Sequence, residues 1–460
     1  MGNKKNAWLK FDNTKKEEIF SFCEGYKKYI SDCKTERESI KEAIYLAESK
    51  GYRNLKNVIS AGKSLKAGDK VYYNNMDKSL ALFLIGSESI ESGMRIIGSH
   101  VDSPRLDLKP NPLYEDSELS LMETHYYGGV KKYQWVTIPL ALHGVVVKKD
   151  GTKIDVVVGE EETDPVVMVS DLLIHLASEQ QQKKATEVIA GEDLNILVGS
   201  MPLEGEEKES VKANILKLLK EKYDFEEEDF MSAEIEIVPA GKARDLGLDR
   251  SMVAGYGHDD RICAYTSLLA LLETESTKKT SVVLLVDKEE VGSIGATGMQ
   301  SRFFENAVAE LMDRVGEYSE LKLRRALANS KMLSSDVTAA FDPNYAGAYE
   351  KKNSAFFGKG LAFAKYTGAR GKSGCNDANA EFVVWLRNVM DENDVAYQMA
   401  ELGKVDQGGG GTIAYILAEY GMEVIDCGVA LQNMHAPWEV ASKVDIFETM
   451  RGYKAFLMAE

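Results

Sequence analysis

The chain lacks the features of membrane-spanning, secreted and nucleic-acid-binding proteins. Its longest apolar run, SLALFLIGS at residues 79–87, is far shorter than the roughly 20 residues that span a bilayer. The stretch MGNKKNAWLK at its start has no apolar core of the kind found in secretory signals. Asp and Glu outnumber Lys and Arg by 73 to 56, and the net charge of −17 opposes binding to phosphate backbones or anionic membranes. These absences predict a cytoplasmic protein that binds neither nucleic acid nor a membrane.

Cysteine and histidine are also scarce. The five cysteines are odd in number and form no CxxC pair, which excludes a disulfide framework and a cysteine-type zinc site. A serine hydrolase is not supported either, because no GxSxG motif is present. Any metal must therefore be held by carboxylates and by some of the six histidines, which are His100, His125, His143, His175, His258 and His435.

What is present is an alternation of short apolar runs with helical stretches. The runs at residues 81–100, 281–287 and 424–431 are typical of buried strands. Helical spacing appears at residues 262–273 and 380–390, and residues 15–50 predict one long helix or two abutting ones. The pattern indicates an α/β fold in which helices cover both faces of a mostly parallel sheet.

The middle of the chain has a different composition. Strand-like runs at residues 135–147, 153–159 and 233–240 alternate with very acidic loops such as GEEETDP. We interpret residues 106–240 as an inserted β-rich domain, which divides the α/β domain into residues 1–105 and 241–460.

Metal-binding residue types follow several of the predicted strands. Because ligands of open α/β sheets bind beyond the carboxyl ends of the strands, these residues are candidates for one site. The candidates come from five segments: His100 and Asp102 in IIGSHVD, Asp259 in GYGHDDR, Glu289 and Glu290 in VDKEEVG, Asp336 in SSDV, and His435 in LQNMH.

This set suits two divalent ions. A pair of ions needs a bridging carboxylate and further ligands for each ion. Two histidines and three carboxylates of the list meet that count: His100, His435, Asp259, Glu290 and Asp336. Zinc, cobalt and manganese all suit such ligands. Glu289 has the right type for a general base, and Asp102 is placed to orient the ring of His100. Taken singly, each residue also has an ordinary explanation, such as a helix cap or a surface pair.

The local sequences resemble those of a known family. In chain order they are SHVDSPRLDLKP, DDR before a helix, VDKEEVGS, SSDVTAAFDPNY, GGGGTIAYILA and ALQNMHAPWEVA, with YYGGVKKYQW and IPLALHGVVV in the middle. The same motifs occur in this order in the aspartyl aminopeptidase (aminopeptidase I) family of di-zinc metallopeptidases. The resemblance extends from about Ala81 to Lys454.

The resemblance implies a zinc aminopeptidase that removes N-terminal residues from peptides. It implies that His100 and Asp336 bind one ion, that His435 and Glu290 bind the other, and that Asp259 bridges them. Glu289 then acts as the general base and Asp102 orients His100. The family also assembles as a homododecamer, in which the inserted domain provides contacts between subunits.

Three further residues are candidates for substrate binding by the same resemblance. His143 matches a family histidine that reaches into a neighbouring subunit's active site, with a half-buried strand residue as the alternative. Gly409 and Gly410 match a loop whose backbone donors lie beside the substrate, with a simple turn before a helix as the alternative.

The chain departs from the family in one stretch. Ala339 and Asp342 replace two histidines that the family often has near its pocket for acidic side chains. Aminopeptidase chemistry is therefore implied, whereas a preference for acidic residues is not. Two alternatives remain open at this point. One is a related di-metal amide hydrolase that acts on N-acyl substrates, and the other is a self-assembling family member without catalytic activity.

Overall fold

The computed structural model describes residues 5–460, so the first four residues of the predicted α/β domain lie outside the described residues. The chain forms two compact units. The first comprises Met1–Asp102, Ala243–Met434 and Glu439–Glu460. The second comprises Ser103–Lys242 together with His435–Trp438.

Residues 5–460 contain both β-strands and α-helices, with no α-helix between residues 61 and 209. The strands are β1 (Arg53–Asn54), β2 (Lys70–Asn75), β3 (Ser79–Leu84), β4 (Arg95–His100), β5 (Arg105–Asp116), β6 (Leu119–Tyr127), β7 (Leu140–Val147), β8 (Lys153–Val158), β9 (Met168–Val169), β10 (Ile196–Gly199), β11 (Ala233–Pro239), β12 (Arg244–Leu246), β13 (Met252–Gly255), β14 (Ser281–Val286), β15 (Lys331–Ser335), β16 (Thr338–Ala339), β17 (Leu361–Ala364), β18 (Tyr397–Met399), β19 (Glu423–Gly428), β20 (Ala430–Gln432) and β21 (Glu439–Ser442). The α-helices are α1 (Asn13–Asp32), α2 (Glu36–Ser49), α3 (Leu55–Ser60), α4 (Ser210–Tyr223), α5 (His258–Leu272), α6 (Phe303–Arg314), α7 (Glu320–Ala328), α8 (Ala380–Glu392), α9 (Ala414–Ala418) and α10 (Lys443–Met458).

The first unit is built on a nine-stranded sheet in the order β1-β2-β3-β14-β4-β15-β19-β17-β18. Its centre, from β14 through β4 and β15 to β19, is parallel. The pairs β2–β3, β3–β14 and β17–β19 are antiparallel, so the sheet is mixed and the predicted parallel character holds for its centre.

Both faces of this sheet are buried, which confirms the predicted α/β fold with helices on both faces. Successive residues of β14 alternate between two hydrophobic cores, with Val283 and Leu285 in one and Val282 and Leu284 in the other. Residues of α2, α5, α8 and α10 fill the first core, and residues of α3, α6, α7 and α9 fill the second. A strand that is apolar on both sides therefore has the continuous hydrophobic run seen in the sequence.

Two predicted elements are shorter or divided in the structure. The segment at residues 15–50 forms two helices, because Thr35 starts α2 with a capping box that includes Glu38. The run at residues 135–147 becomes a strand only at Leu140. Pro139 directly precedes it and has no N–H for strand pairing.

The first unit also contains a second sheet that the sequence did not predict. This five-stranded sheet has the order β12-β13-β21-β20-β16. The pairing of β13 with β21 joins segments far apart in the chain, with Gly255 opposite Glu439. The predicted strand at residues 424–431 is divided between this sheet and the larger one, as β20 and β19.

The second unit is centred on a seven-stranded sheet in the order β8-β7-β11-β5-β6-β10-β9. All of its neighbouring strands are antiparallel. Its α-helix, α4, contacts β5, β6 and β10 of this sheet.

Two expectations about the whole chain can be compared with residues 5–460. Within this range no helix has both the length and the apolar character needed to cross a membrane. The cysteines are all free thiols, as expected: Cys23, Cys33, Cys263 and Cys427 are buried, and Cys375 is partly exposed.

Candidate metal centre

The parallel centre of the nine-stranded sheet brings three predicted site segments to one edge. His100 is the last residue of β4 and pairs with Val286, the last residue of β14. Glu289 and Glu290 follow β14 after a two-residue turn, and Asp336 directly follows β15. Because these strands are parallel neighbours, their carboxyl ends meet at the same edge, as the sequence predicted.

The imidazole of His100 lies among carboxylates. Its Nε2 atom is 3.1 Å from Oδ1 of Asp259, 3.7 Å from Oδ1 of Asp336 and 3.8 Å from Oε2 of Glu289. Burial acts to lower the pKa of His100, but hydrogen bonds to Asp102, Asp259 and Asp336 outweigh it and raise the pKa well above its usual value. The ring is therefore surrounded by negative charge.

Asp102 connects the ends of β4 and β14. The Asp102 carboxylate is fully buried and accepts the backbone N–H groups of Glu289 and Glu290, each at 3.2 Å. Its Oδ1 also lies 3.4 Å from Nδ1 of His100, and the same Nδ1 is 3.0 Å from the Asp102 carbonyl oxygen. A carbonyl oxygen only accepts, so Nδ1 is the donor and carries a proton. This fixes the ring so that Nε2 faces the carboxylates.

The first turn of α5 supplies two adjacent carboxylates. Asp259 and Asp260 are both buried there, at the end of a helix where the exposed N–H groups favour negative charge. Oδ2 of Asp260 accepts the backbone N–H of His100 at 3.3 Å, and the Asp259 N–H donates to Oε2 of Glu439 at 3.1 Å. The sequence placed the ligand at Asp259. In the structure Asp260 also lies beside His100.

The carboxylates of this cluster hold protons more tightly than ordinary acids. Burial, together with neighbouring carboxylates, raises the pKa of Glu289 to about 8. Burial also raises the pKa of Asp260 well above its usual value and raises that of Asp336. Negative groups forced together in a buried site are stabilised by a bound cation, which would lower these pKa values again.

The donor atoms fit a divalent metal ion. One ligand atom from each of His100, Asp260 and Asp336 lies within 4.8 Å of the others, and the same is true of His100, Glu289 and Glu290. Imidazole nitrogen and carboxylate oxygen are ligands that zinc, cobalt and manganese accept. All members of these two groups are imidazole nitrogens or carboxylate oxygens.

Two predicted histidines belong to the second unit. His435 hydrogen-bonds through Nδ1 to the carbonyl oxygen of Gly129 at 2.9 Å, so its proton is on Nδ1. His143 lies in β7, is buried, and has its Nε2 3.0 Å from Oε1 of Glu160. In the single chain His143 is thus a buried strand residue with an acidic partner.

The glycine-rich loop of the first unit borders a cavity of about 380 Å³, lined by residues 366–368, 370–372, 401–405 and 408–409. Gly409 has a φ of +119°, and a Cβ atom there would lie 2.6 Å from Cα of Ala369. The N–H of Gly410 donates to the carbonyl oxygen of Thr367 at 3.1 Å. The loop is therefore closely packed against residues 367–369, which only glycine permits at position 409.

The segment that departs from the family has a local structural role. Oδ1 of Asp342 accepts the N–H of Asn344 at 2.8 Å and starts a short 3₁₀ turn at residues 343–348. Further along the chain, Lys372 pairs with Asp377 at 2.8 Å, and Arg370 lines the cavity beside Gly409.

Comparison with known proteins identifies the family. The model of the family described as Aminopeptidase I zinc metalloprotease (M18) matches residues 29–457. The chain belongs to the M18 family. A curated relative from Clostridium acetobutylicum, named Probable M18 family aminopeptidase 1, is 66% identical over 98% of both chains. The crystal structure of an M18 aminopeptidase from Thermotoga maritima is 45% identical, covers 100% of each chain and superposes with a TM-score of 0.96. The structure of the S. cerevisiae mApe1 dodecamer is 20% identical, covers 95% of this chain and 96% of that one, and has a TM-score of 0.77, which shows a shared fold.

As an M18 protein the chain is a zinc-dependent metallo-aminopeptidase, as its motifs predicted. The comparisons favour neither the N-acyl amide hydrolase nor the non-catalytic alternative. Sequence reasoning did not single out Glu439, which accepts the Asp259 N–H. The one local signal was an acidic residue four residues after His435, and it does not reveal the contact with Asp259.

Proposed function

We propose that this M18 aminopeptidase removes N-terminal residues from peptides at a site that binds two divalent ions, with zinc as the native metal. His100, Asp259, Glu290, Asp336 and His435 would hold these ions. The observation that carries the proposal is the position of His100, whose Nε2 lies within 4 Å of Asp259 and Asp336 at the carboxyl ends of parallel strands. The family motif adds His435 and the count of two ions.

The chemistry is divided between the metal and the chain. When bound, the ions supply Lewis-acid chemistry that polarises the scissile carbonyl. Glu289 takes a proton from the attacking water and delivers it to the leaving amine. Its carboxylate is 3.8 Å from Nε2 of His100, and this distance supports a role for Glu289 beside a proposed ligand. Asp102 holds this arrangement through the N–H groups of Glu289 and Glu290.

The substrate contacts are part of the same proposal. Backbone groups of the loop at Gly409 and Gly410 bind the peptide, which the close packing of this loop supports because it fixes the backbone. His143 contributes from a neighbouring subunit. Ala339 and Asp342 leave this chain without two family histidines, so we expect neutral N-terminal residues to be cleaved faster than acidic ones.

We further propose that residues 106–240 are an oligomerisation domain within a homododecamer and that residues 1–105 and 241–460 form the peptidase domain. The segment at residues 172–176 supports the first assignment, because it exposes four large apolar side chains: Leu172, Leu173, Ile174 and Leu176. Such a run on a surface is typical of a protein contact. The free thiols favour a reducing, cytoplasmic location.

The test combines a substrate panel with one variant. Metal-free protein is reconstituted with zinc, cobalt or manganese and assayed on aminoacyl amides of Leu, Ala, Lys, Asp and Glu, with N-acetyl-leucyl amide as the blocked analogue. We expect hydrolysis of free-amine substrates only. Glu289→Gln should lower kcat by about 10²–10⁴-fold while keeping two zinc ions per chain, whereas Glu275→Gln, at an exposed position, should match the wild type. Hydrolysis of the blocked substrate, or full activity of Glu289→Gln, would refute the proposal.

A further inference from the structure

One buried carboxylate beside the metal centre has no part in the chemistry proposed above. Glu439 is the first residue of β21 and only 1% of its surface is exposed. Its Oε2 atom accepts the backbone N–H of Asp259 at 3.1 Å. Burying a carboxylate is unfavourable unless it is well hydrogen-bonded, so this contact requires an explanation.

The fold places Glu439 opposite the segment that leads to Asp259. In the antiparallel pairing of β13 with β21, Glu439 lies opposite Gly255, the last residue of β13. The chain then continues through Gly257, whose φ is +72°, into the first turn of α5. Strand pairing therefore fixes the distance between the Glu439 side chain and this turn.

The Asp259 N–H needs an acceptor from outside its helix. The first N–H groups of an α-helix have no partner within the helix, and Asp259 has a non-helical backbone with φ −79° and ψ 109°. A carboxylate acceptor makes a stronger hydrogen bond than a neutral one. It holds the Asp259 backbone in the conformation in which Oδ1 of that residue lies 3.1 Å from Nε2 of His100.

We propose that Glu439 is a positioning residue, which sets the orientation of the Asp259 carboxylate for metal binding through the Asp259 N–H. The proposal rests on the proposed function, in which Asp259 would be a metal ligand. It assigns to Glu439 no contact with metal or substrate. What matters is an acceptor oxygen at the correct distance rather than the negative charge itself.

Two conservative variants separate these properties. Glu439→Asp keeps the charge but shortens the side chain by one methylene, which withdraws the acceptor. Glu439→Gln removes the charge but keeps a carbonyl oxygen at the same reach. We expect Glu439→Asp to weaken zinc binding by roughly 10–100-fold, the usual effect of losing a group that orients a ligand. Glu439→Gln should stay within about threefold of the wild type.

Zinc affinity is measured on metal-free protein by competition with a chromogenic chelator, and kcat and KM are measured at saturating zinc. The activity of Glu439→Asp should recover with excess zinc, with an unchanged KM. Glu448 provides a matched control, because it is fully buried and accepts the N–H of Ala396 at 2.5 Å. Glu448→Asp should lower Tm and leave the zinc affinity unchanged.

Wild-type zinc affinity in Glu439→Asp, or a loss in Glu439→Gln as large as that in Glu439→Asp, would overturn the proposal. Failure of the wild type itself to bind zinc would instead overturn the proposed function. A second measurement needs no variant: hydrogen–deuterium exchange of the Asp259 amide in the metal-free wild type. We expect slow exchange, and exchange as fast as in an unfolded peptide would contradict the hydrogen bond to Glu439.

Discussion

Replacing Asp102 by asparagine changes one atom at the point where the ends of β4 and β14 meet. In the wild type, one carboxylate oxygen accepts the N–H of Glu289 and the other accepts the N–H of Glu290. Asparagine keeps one acceptor and turns the other into an NH₂ group, which faces a backbone N–H as a second donor. We therefore expect Asp102→Asn to release the turn that carries both glutamates.

The magnitude follows from one lost hydrogen bond. A buried hydrogen bond to a charged group contributes roughly 1.5–3 kcal/mol, so we expect the turn to lose about 2 kcal/mol of stabilisation. If zinc binding must restore the native turn, the Kd for zinc rises by about 30-fold, because 1.4 kcal/mol corresponds to a factor of ten. The kcat should fall as well, since Glu289 is on the same turn.

The chain offers a close control in Asp445. This carboxylate is also fully buried and accepts two backbone N–H groups, from Gly358 and Gly360, each at 2.7 Å. Asp445→Asn should lower Tm by an amount similar to that of Asp102→Asn, as measured by differential scanning fluorimetry. Only Asp102→Asn should change the zinc Kd in the chelator assay. An unchanged zinc Kd in Asp102→Asn would refute the reasoning.

Three other predictions concern pH, backbone conformation and assembly. Burial lowers the pKa of His258 to about 3, so below about pH 6.5 the unfolded chain binds a proton that the folded chain does not, and stability falls with the pH. Compared with His258→Gln in metal-free protein, the wild type should lose about 1.4 kcal/mol more of its free energy of unfolding per pH unit between pH 6 and 4, as measured by urea titrations. An equal pH dependence of the two free energies would argue against this prediction. Gly409→Ala should raise KM for peptide amides at least several-fold. Gly410→Ala should change KM little, because a Cβ atom at that position meets nothing within 4 Å. Equal effects of the two variants on KM would contradict the packing argument. Ile174→Glu should reduce the assembly to smaller species in light scattering. Leu9→Glu should not, and it is a matched control because both side chains are largely exposed and Leu9 lies in the first unit. An intact assembly of Ile174→Glu would exclude residues 172–176 from the interface.

The sequence predicted those parts of the fold that depend on local pattern. The apolar runs that became β4, β14 and β19 are buried on both faces and therefore have a continuous hydrophobic pattern. The five-stranded sheet was not predicted, because β12, β16 and β20 have only two or three residues each. Strands that short have no recognisable periodicity, and the pairings of β16 with β20 and of β13 with β21 join segments far apart in the chain.

The same distinction applies to the site. The sequence indicated His100, Glu289 and Asp336 as candidates because each lies at or just beyond the end of a recognisable strand, and parallel strands end at the same edge. Glu439 was missed because its contact with Asp259 depends on which residue of β21 lies opposite Gly255. That register is a property of the folded sheet, and no local sequence pattern specifies it.

The distribution of the cysteines allows unfolding of the native chain to be followed by thiol labelling. Four of the five thiols are buried, and burial raises the pKa of Cys23 to about 12 and holds those of Cys33, Cys263 and Cys427 above their usual values. Because the thiolate is the reactive form, these four react with alkylating reagents only after the chain opens. Cys375 alone is partly exposed, and it lies in the segment that follows the loop packed against Gly409. A thiol-reactive dye therefore labels folded protein at one position beside the glycine-rich loop. The mean number of dyes per chain rises from one in the folded protein to five in the unfolded protein, so it measures the fraction of molecules that have unfolded.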